Sequence, residues 1–465
     1  MQQFFAILKD SYREAVDGFV IYVMLGLALV VALIVGSITF TPDPAPRAVA
    51  VIVSKFTAVF PDKGKSKAFT AVAQHPVKYS AENAESGTDG TVKFVLDVAP
   101  ERAAVVDKKD GFRYAVFTWS KPAGEKFKNP FGDGKAKGGE ERRFEIVLPP
   151  EATAADLAAV TDDDMAGFLK SQFAAFVGVT EADVSAKRVA GVAEPSYRFE
   201  VELKRATTAR GWPQTLDVFF RQVSLGDDWE LGQTVFKIEN GLVGWIGGTG
   251  TLVISVIITA FFIPNMLRKG SIDLLISKPI GRTQLLVYKY IGGLVFISII
   301  TSFTITLVWI AISFRAGYWD PTFLLTIPTL LLAFAILYAL STAVAVFTRS
   351  AIASILITIA FMFGLFIVGQ AKTFFDVNRV FQVAKVPDWA YTLVDTLHAI
   401  LPRYKDLDRL TSKLLIETNL PSGEARTSGI GLIDYPSWGM TIGVSLAFIV
   451  VMLALSCWKL NKRDN

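Results

Sequence analysis

Six long apolar runs without a single charge constrain this chain more than any other feature. None of them contains Asp, Glu, Lys, Arg or His, and they extend over Phe19–Phe40, Leu242–Ile263, Ile291–Phe314, Phe323–Phe347, Ala351–Gly369 and Gly439–Trp458. A helix needs about 20 apolar residues to cross the hydrocarbon core of a bilayer. One charge at its centre costs about 3 kcal/mol on insertion scales. The runs therefore predict six transmembrane helices, in preference to six buried core helices of a large soluble protein.

Composition excludes several classes of function. Only 19% of the 465 residues are charged, and the chain has two histidines and a single cysteine, Cys457. This scarcity excludes a disulfide framework within the chain and most zinc sites. A P-loop is absent, because Gly64-Lys65-Ser66 is preceded by Val59 where the first glycine should stand. A net charge of +4 without a clustered basic face gives no reason to expect a nucleic-acid partner. We therefore predict that the chain is not by itself an enzyme and binds no metal or cofactor.

The distribution of basic residues predicts the topology. The segment Pro264–Tyr290 carries five basic residues against the single acid Asp273, and the tail 459–465 carries three more. By the positive-inside rule these segments are cytoplasmic, as is the short loop that holds Arg349. Both termini are then cytoplasmic, and the long connections 41–241 and 370–438 lie outside.

The two outside segments have different patterns. Residues 41–241, about 200 residues, are long enough for a core of their own. Alternation at Tyr197–Lys204 predicts a half-buried strand, and further strands are expected, as is a helix from Asp162 that ends at Gly178. The expected strands are Thr91–Val98, Phe112–Trp119, Phe144–Leu148 and Leu216–Phe220. The sequence thus predicts an α+β domain.

Segment 370–438 predicts two amphipathic helices. One begins at Asp388 and stops before Pro402, and the other carries Leu407, Leu410, Leu414 and Leu415. Both helices could lie on the membrane surface or seal the outer mouth of the bundle.

The cytoplasmic segment Pro264–Tyr290 is the most informative part of the chain. A short amphipathic helix is expected over Ser271–Ser277, Pro279 breaks it, and a second helix from Thr283 runs into the third span. Such an element could be a stiff elbow that carries force into the bundle. It could equally be a basic loop that only fixes the topology, and these residues alone leave both interpretations open.

The same segment resembles the signature of the ABC-2 type permeases. The branch it resembles is the copper-enzyme-maturation branch, typified by the membrane subunit of the nitrous oxide reductase maturation transporter. The matched positions are Gly270, Ser271, Leu274, Leu275, Ser277, Lys278, Pro279, Arg282 and Lys289. The resemblance extends to the N-terminal segment, the six-span order and the tail, but not to residues 41–241.

The resemblance implies a fold, partners and site residues. It implies a polytopic α-helical membrane protein of the type V exporter kind, with the α+β domain inserted between helices 1 and 2. It implies a homodimer in a bacterial-type inner membrane, with ATP and magnesium bound by separate ATP-binding subunits. The matched positions, with Arg268 and Lys269, would form the coupling loop. Phe4, Phe5, Leu8 and Tyr12 would be the apolar side of a connecting helix at the inner membrane surface.

The predicted order of segments follows from these arguments. It comprises the connecting helix 1–18, spans 19–40, 242–263, 291–314, 323–347, 351–369 and 439–458, the outside segments 41–241 and 370–438, the coupling loop 264–290 and the tail 459–465. The leading functional hypothesis is the permease subunit of an ATP-driven exporter. The alternative is a force-transmitting complex that acts on an outside protein or lipid through residues 41–241. A third possibility is a passive anchor that displays this domain and meets no ATPase.

Overall fold

The computed structural model divides the chain into two compact units. It describes residues 20–56, 77–100, 106–109, 112–120, 141–148, 162–189, 197–244, 250–266, 281–381, 386–427 and 435–462. One unit comprises residues 1–41 and 214–465, and the other comprises residues 42–213. The predicted connecting helix 1–18 and most of the predicted coupling loop lie outside the described residues.

The first described helix, α1, is Val20–Gly36, and it is apolar throughout. Strand β1, Thr39–Pro42, follows it. Helix α2, Ala45–Phe56, then begins the second unit, with Pro46 in its first turn. A proline is tolerated there because the first amides of a helix have no partner within the helix.

The unit of residues 42–213 combines helices with two antiparallel sheets. Its remaining elements are β2 Val77–Ser86, β3 Val92–Pro100, β4 Val106–Lys109, β5 Phe112–Ser120, β6 Glu141–Leu148, α3 Asp162–Phe173, β7 Val184–Arg188 and β8 Tyr197–Leu203. The strand orders are β2-β3-β8-β7 and β4-β5-β6. As the alternation predicts, Phe199, Val201 and Leu203 of β8 are buried. They share a core with residues of α2 and α3, among them Ile52 and Phe173.

The chain then continues into the other unit. Its elements are β9 Pro213–Val218, β10 Val223–Glu230, α4 Leu231–Gly241, α5 Thr251–Thr259, α6 Phe262–Met266, α7 Arg282–Ala316, a 3₁₀ turn Pro321–Leu325, α8 Thr326–Thr348, α9 Ala351–Phe381, α10 Asp388–Ile400, α11 Tyr404–Asn419, α12 Ser422–Thr427 and α13 Trp438–Asn461. Strands β1, β9 and β10 form a sheet with β9 in the middle. The predicted strand Leu216–Phe220 was wrong at its end, because β9 stops at Val218 and the next two residues form a turn.

Within the described ranges, four helices are long and apolar enough to cross a membrane. They are Arg282–Ala316, Pro321–Thr348, Ala351–Asp376 and Trp438–Asn461, which correspond to the predicted spans three to six. The first two predicted spans overlap in part with apolar helices that are shorter than the four long ones, Ile21–Gly36 and Thr251–Met266. The helix that the sequence predicts from Thr283 begins at Arg282 and continues without interruption to Ala316.

Helix α9 extends well beyond the predicted span, which ends at Gly369. It continues to Phe381, and its charged residues Lys372, Asp376 and Arg379 are paired with one another. A Cβ atom at Gly369 would lie 2.6 Å from the Cβ of Lys405 at the start of α11. Glycine at this position therefore permits the close approach of α9 and α11.

The two helices predicted for segment 370–438 are present and behave differently. Helix α11 buries Tyr404, Leu407, Leu410 and Leu415 against the bundle. Among the 13 residues of α10, all of them described, none is buried. The sequence left two placements open, on the membrane surface or across the outer mouth of the bundle. The burial of α11 supports the second placement for this helix.

Candidate functional site

The helices on either side of segment 267–280, which carries most of the predicted coupling residues, share one apolar cluster. Helix α6 ends at Met266 on one side of the segment, and α7 begins at Arg282 on the other. The cluster comprises Ile263, Met266, Leu285, Leu286, Ala345 and Val346, from α6, α7 and α8. We call it the loop-end cluster. The helix that precedes the segment and the helix that follows it therefore pack in the same core.

Helix α13 completes this end of the bundle. Its partly buried residues Cys457 and Leu460 pack against the loop-end cluster. The side-chain amide of Asn461 donates a hydrogen bond of 3.1 Å to Oγ1 of Thr283. The last turn of α13 is thereby joined to the first turn of α7.

Only two of the predicted coupling residues lie within the described part of the chain. Arg282 is the exposed first residue of α7, where a partner could reach it. Lys289 is only 3% exposed, on the side of α7 that carries Leu285 and Leu286. Lys289 therefore lies on the packed side of α7 in this structure.

The other predicted site residues lie outside the described residues. They are Arg268, Lys269, Gly270, Ser271, Leu274, Leu275, Ser277, Lys278 and Pro279 of the loop, and Phe4, Phe5, Leu8 and Tyr12 of the connecting helix.

Further along α7, a close contact joins it to α8. The ring of Tyr290 stacks on that of Tyr338, with centroids 5.1 Å apart, and its hydroxyl donates to the carbonyl of Ala335 at 2.9 Å. A Cβ atom at Gly293 would lie 2.6 Å from the ring of Tyr338. Sequence reasoning missed this contact, although a glycine pair inside an apolar run is a known signal of close helix packing. The contact packs α7 closely against α8.

The opposite end of the bundle is polar. Asp376 of α9 accepts from Lys372 at 2.7 Å and from Arg409 of α11 at 3.3 Å. Asp395 of α10 accepts from Lys372 at 3.0 Å and from Arg379 at 2.6 Å. We call these five residues, from three helices, the polar cap. Burial acts to raise the pKa of Asp395, but the hydrogen bonds from Arg379 and Lys372 outweigh it, and the pKa is lowered.

A buried carboxyl group lies at the same end. Glu239 of α4 is 4% exposed and accepts a hydrogen bond of 2.7 Å from the amide of Asn419 on α11. Asn419 in turn accepts from the hydroxyl of Tyr318 at 2.5 Å. Burial raises the pKa of Glu239 to about 8, with a smaller contribution from Asp320 and an opposing one from Asn419. Because α4 directly precedes α5, these bonds connect α11 to the second apolar segment.

The sequence analysis named neither the polar cap nor Glu239 as a site. Their partners are far apart in the chain, and no short motif marks them. Within the described ranges, no group of three or more His, Cys, Asp and Glu side chains could hold a metal ion.

Comparison with known proteins gives one match. Residues 252–465, a little less than half of the chain, match the family model described as ABC-2 family transporter protein. The matched region begins in α5 and includes the loop-end cluster and the polar cap. Neither the curated proteins nor the solved structures give a match. With the four long apolar helices, the match supports a multi-pass membrane protein whose C-terminal part is similar to ABC-2 family transporters.

Proposed function

We propose that the chain is the membrane subunit, or permease, of an ATP-binding-cassette transporter. The observation that carries the proposal is the family match over residues 252–465. In this proposal the chain has six membrane spans, with both termini and the coupling loop 264–290 on the cytoplasmic side. A separate ATPase, which binds ATP and magnesium, docks on that loop.

The loop-end cluster supports a mechanical role for the loop. When the ATPase changes shape, a force on residues 267–280 is transferred at both ends to α6 and α7. The stacked pair Tyr290 and Tyr338 passes the movement of α7 to α8. Well-packed apolar contacts suit this role because protein interiors are dense and transmit strain.

The finer features of the proposal depend on the resemblance. They are a homodimer of permeases in a bacterial-type inner membrane, a connecting helix over residues 1–18, and relationship to the copper-enzyme-maturation branch. Helices α1, α9 and α13 leave apolar side chains exposed, among them Leu33, Phe363 and Val450. Such faces suit lipid or a second copy of the chain.

The alternative is a force-transmitting complex that acts on an outside protein or lipid. One observation favours it. Strands β1 and β9, through which the chain enters and leaves residues 42–213, are neighbours in one sheet. The same sheet connects the end of α1 to the start of α4, so a movement of either helix would reach both of these strands.

Co-purification tests the main proposal. The complete chain is expressed together with a P-loop ATPase encoded by a neighbouring reading frame, and the complex is isolated through a tag on the ATPase. We expect Leu274→Asp combined with Pro279→Ala to abolish the complex. Gln284→Ala is the matched control, because Gln284 is exposed in the first turn of α7 but is not part of the motif. An intact complex with the double variant would contradict the docking assignment.

Transport in vesicles separates the two functions. The complex is reconstituted with and without residues 42–213, and movement of a fluorescent phospholipid analogue is measured after ATP is added. Movement that survives the deletion contradicts the alternative. ATP hydrolysis without movement of the phospholipid analogue, both with and without residues 42–213, supports the alternative.

A further inference from the structure

The turn between β9 and β10 presents two phenylalanine rings. Phe219 is 55% exposed and Phe220 is 64% exposed. Val223 and Leu225, which lie on one face of β10, are exposed as well. Contiguous exposed apolar patches are uncommon on protein surfaces in water and mark sites of interaction with proteins, ligands or membranes.

The backbone of this turn is strained. The φ angles of Phe219, Phe220 and Arg221 are 51°, 57° and 70°. Positive φ is unfavourable for bulky residues because Cβ approaches the backbone carbonyl. Such a conformation persists only where the surroundings impose it, and it is frequent at functional sites.

Ser37, directly after the end of α1, imposes the conformation. The amide of Phe219 donates to Oγ of Ser37 at 3.2 Å, and the amide of Phe220 donates to the Ser37 carbonyl at 3.0 Å. Ser37 itself is buried. The turn is therefore fixed to the end of α1 by its backbone, while both rings remain exposed.

Arg315, in the last turn of α7, provides a second attachment. Its Nε donates to the carbonyl of Gly36 at 2.5 Å, and its guanidinium carbon lies 5.6 Å from the centre of the Phe220 ring. The turn is thus held level with the ends of α1 and α7. Other aromatic rings are exposed at the same end of α7, on Phe314 and Trp319. Aromatic side chains at the ends of spans are typical of a membrane interface.

We propose that residues 219–222, with Val223 and Leu225, rest in the headgroup and upper acyl region of the lipid leaflet in which α1 and α7 end. Lipid is the occupant because the turn is continuous with a lipid-suited surface. The last turns of α1 expose Leu29, Val30, Leu33 and Ile34, and the turn is bonded to the residue that follows them. The exposed Arg221 can contact lipid phosphates from this position.

The inference rests on the proposed membrane position of α1 and α7. It adds a non-helical lipid contact that fixes the height of β9 and β10 above the membrane. A tilt of α1 would then turn the sheet about a point held in the lipid.

Site-directed fluorescence tests the inference on the full-length chain. Cys457, the only cysteine, is first replaced by serine. A cysteine at Phe220 is labelled with an environment-sensitive dye, and the protein is reconstituted into vesicles of phosphatidylcholine and phosphatidylglycerol. We expect strong quenching by lipids that carry a nitroxide near the headgroup, weak quenching by aqueous iodide, and emission at shorter wavelength than in the control below.

Two further positions complete the design. Ser224→Cys, on the opposite face of β10, is the matched control and should be quenched mainly by iodide. Val223→Cys is a second reporter in case Phe220→Cys disturbs the fold, because its side chain takes no part in the contacts with Ser37. A dye at position 223 should be quenched by lipid nitroxides and only weakly by iodide, as at position 220.

Leu33→Cys on α1 distinguishes this inference from the proposed function. If Leu33 is quenched by aqueous iodide and not by lipid nitroxides, the membrane position of α1 is wrong and both proposals fail. If Leu33 is quenched by lipid but positions 220 and 223 are quenched by iodide, the inference alone is overturned. Protection of 220 and 223 from both quenchers would mean that protein covers the turn, which also overturns it.

Discussion

The two ends of the helical bundle are held together by different kinds of contact. At the loop-end cluster the contacts are apolar and tight, and Leu286 is completely buried. At the polar cap, ion pairs between α9, α10 and α11 replace apolar packing. Apolar packing depends little on pH and salt, whereas ion pairs and buried carboxyl groups respond to both. The difference suits the proposed function, in which one end transmits a displacement while the other exchanges its partners.

The contrast fits the proposed mechanism. A push on residues 267–280 needs stiff surroundings so that it is not absorbed locally. The opposite end must allow the helices to separate if a path is to open there. The pair between Arg379 and Asp395 is partly exposed, and such pairs contribute little to stability, so its rearrangement costs little.

Leu286→Ala is expected to have the largest effect, because it leaves a cavity in the loop-end cluster. Replacement of a fully buried leucine by alanine costs about 2–5 kcal/mol. We expect a clear fall in the unfolding temperature of the purified protein in detergent. Leu356→Ala is the control, since Leu356 is 63% exposed on α9. Equal effects of the two changes would show that the loop-end cluster is not a packed core.

Glu239→Gln is expected to remove part of the pH dependence of the free energy of unfolding. Glu239 lies at the same end of the bundle as the polar cap. The pKa of Glu239 is raised from 4.5 to about 8, so the folded protein holds a proton that the unfolded chain has lost. The contribution of the protonated Glu239 to the stability of the folded protein is complete below pH 4.5, and it declines as the pH rises to about 8. Across this window the free energy of unfolding should fall by a few kcal/mol, and the glutamine variant should not show this fall.

Thermal unfolding measured across this pH range checks the prediction for Glu239. Glu417→Gln is the matched control, because Glu417 is a partly exposed residue of the same helix as Asn419. If wild type and Glu239→Gln decline in parallel, Glu239 is ionised in the folded protein and the prediction is wrong.

Asp376→Asn is expected to have a moderate effect on the polar cap. Asp376 contacts Lys372 and Arg409, and all three side chains are mostly buried. Loss of the charge should lower the free energy of unfolding by roughly 1–3 kcal/mol and reduce its dependence on salt. Unfolding in low and high sodium chloride measures both quantities. Lys413→Gln, in the exposed pair with Glu417, should change stability by less than about 0.5 kcal/mol.

The sequence could predict those features that depend on local periodicity. Helix α10 begins at Asp388 and ends before Pro402, as its apolar spacing and the proline require. The buried residues of β8 are those that the alternation selects. In both cases the signal lies within a few consecutive residues.

The remaining features depend on contacts between distant parts of the chain. Lys289 belongs to the matched motif, but its burial depends on how α7 packs. Glu239 is an ordinary acidic residue until Asn419 of α11 covers it. The strained turn at Phe219 continues an apparently regular strand pattern, because Ser37, far away in sequence, imposes it. No window of sequence contains both partners of any of these contacts.

Thr283→Ala should have the smallest effect and gives the sharpest test of the comparison. The hydrogen bond between Thr283 and Asn461 is a polar link at the loop end, and both side chains are at the surface. A double-mutant cycle with Asn461→Ala should give an interaction free energy of about 0.5 kcal/mol or less, since water replaces the bond. The same cycle between Glu239→Ala and Asn419→Ala should give a larger value, because that bond is buried. If the loop-end pair gave the larger value, polar contacts would dominate there as well, and the division into an apolar and a polar end would fail.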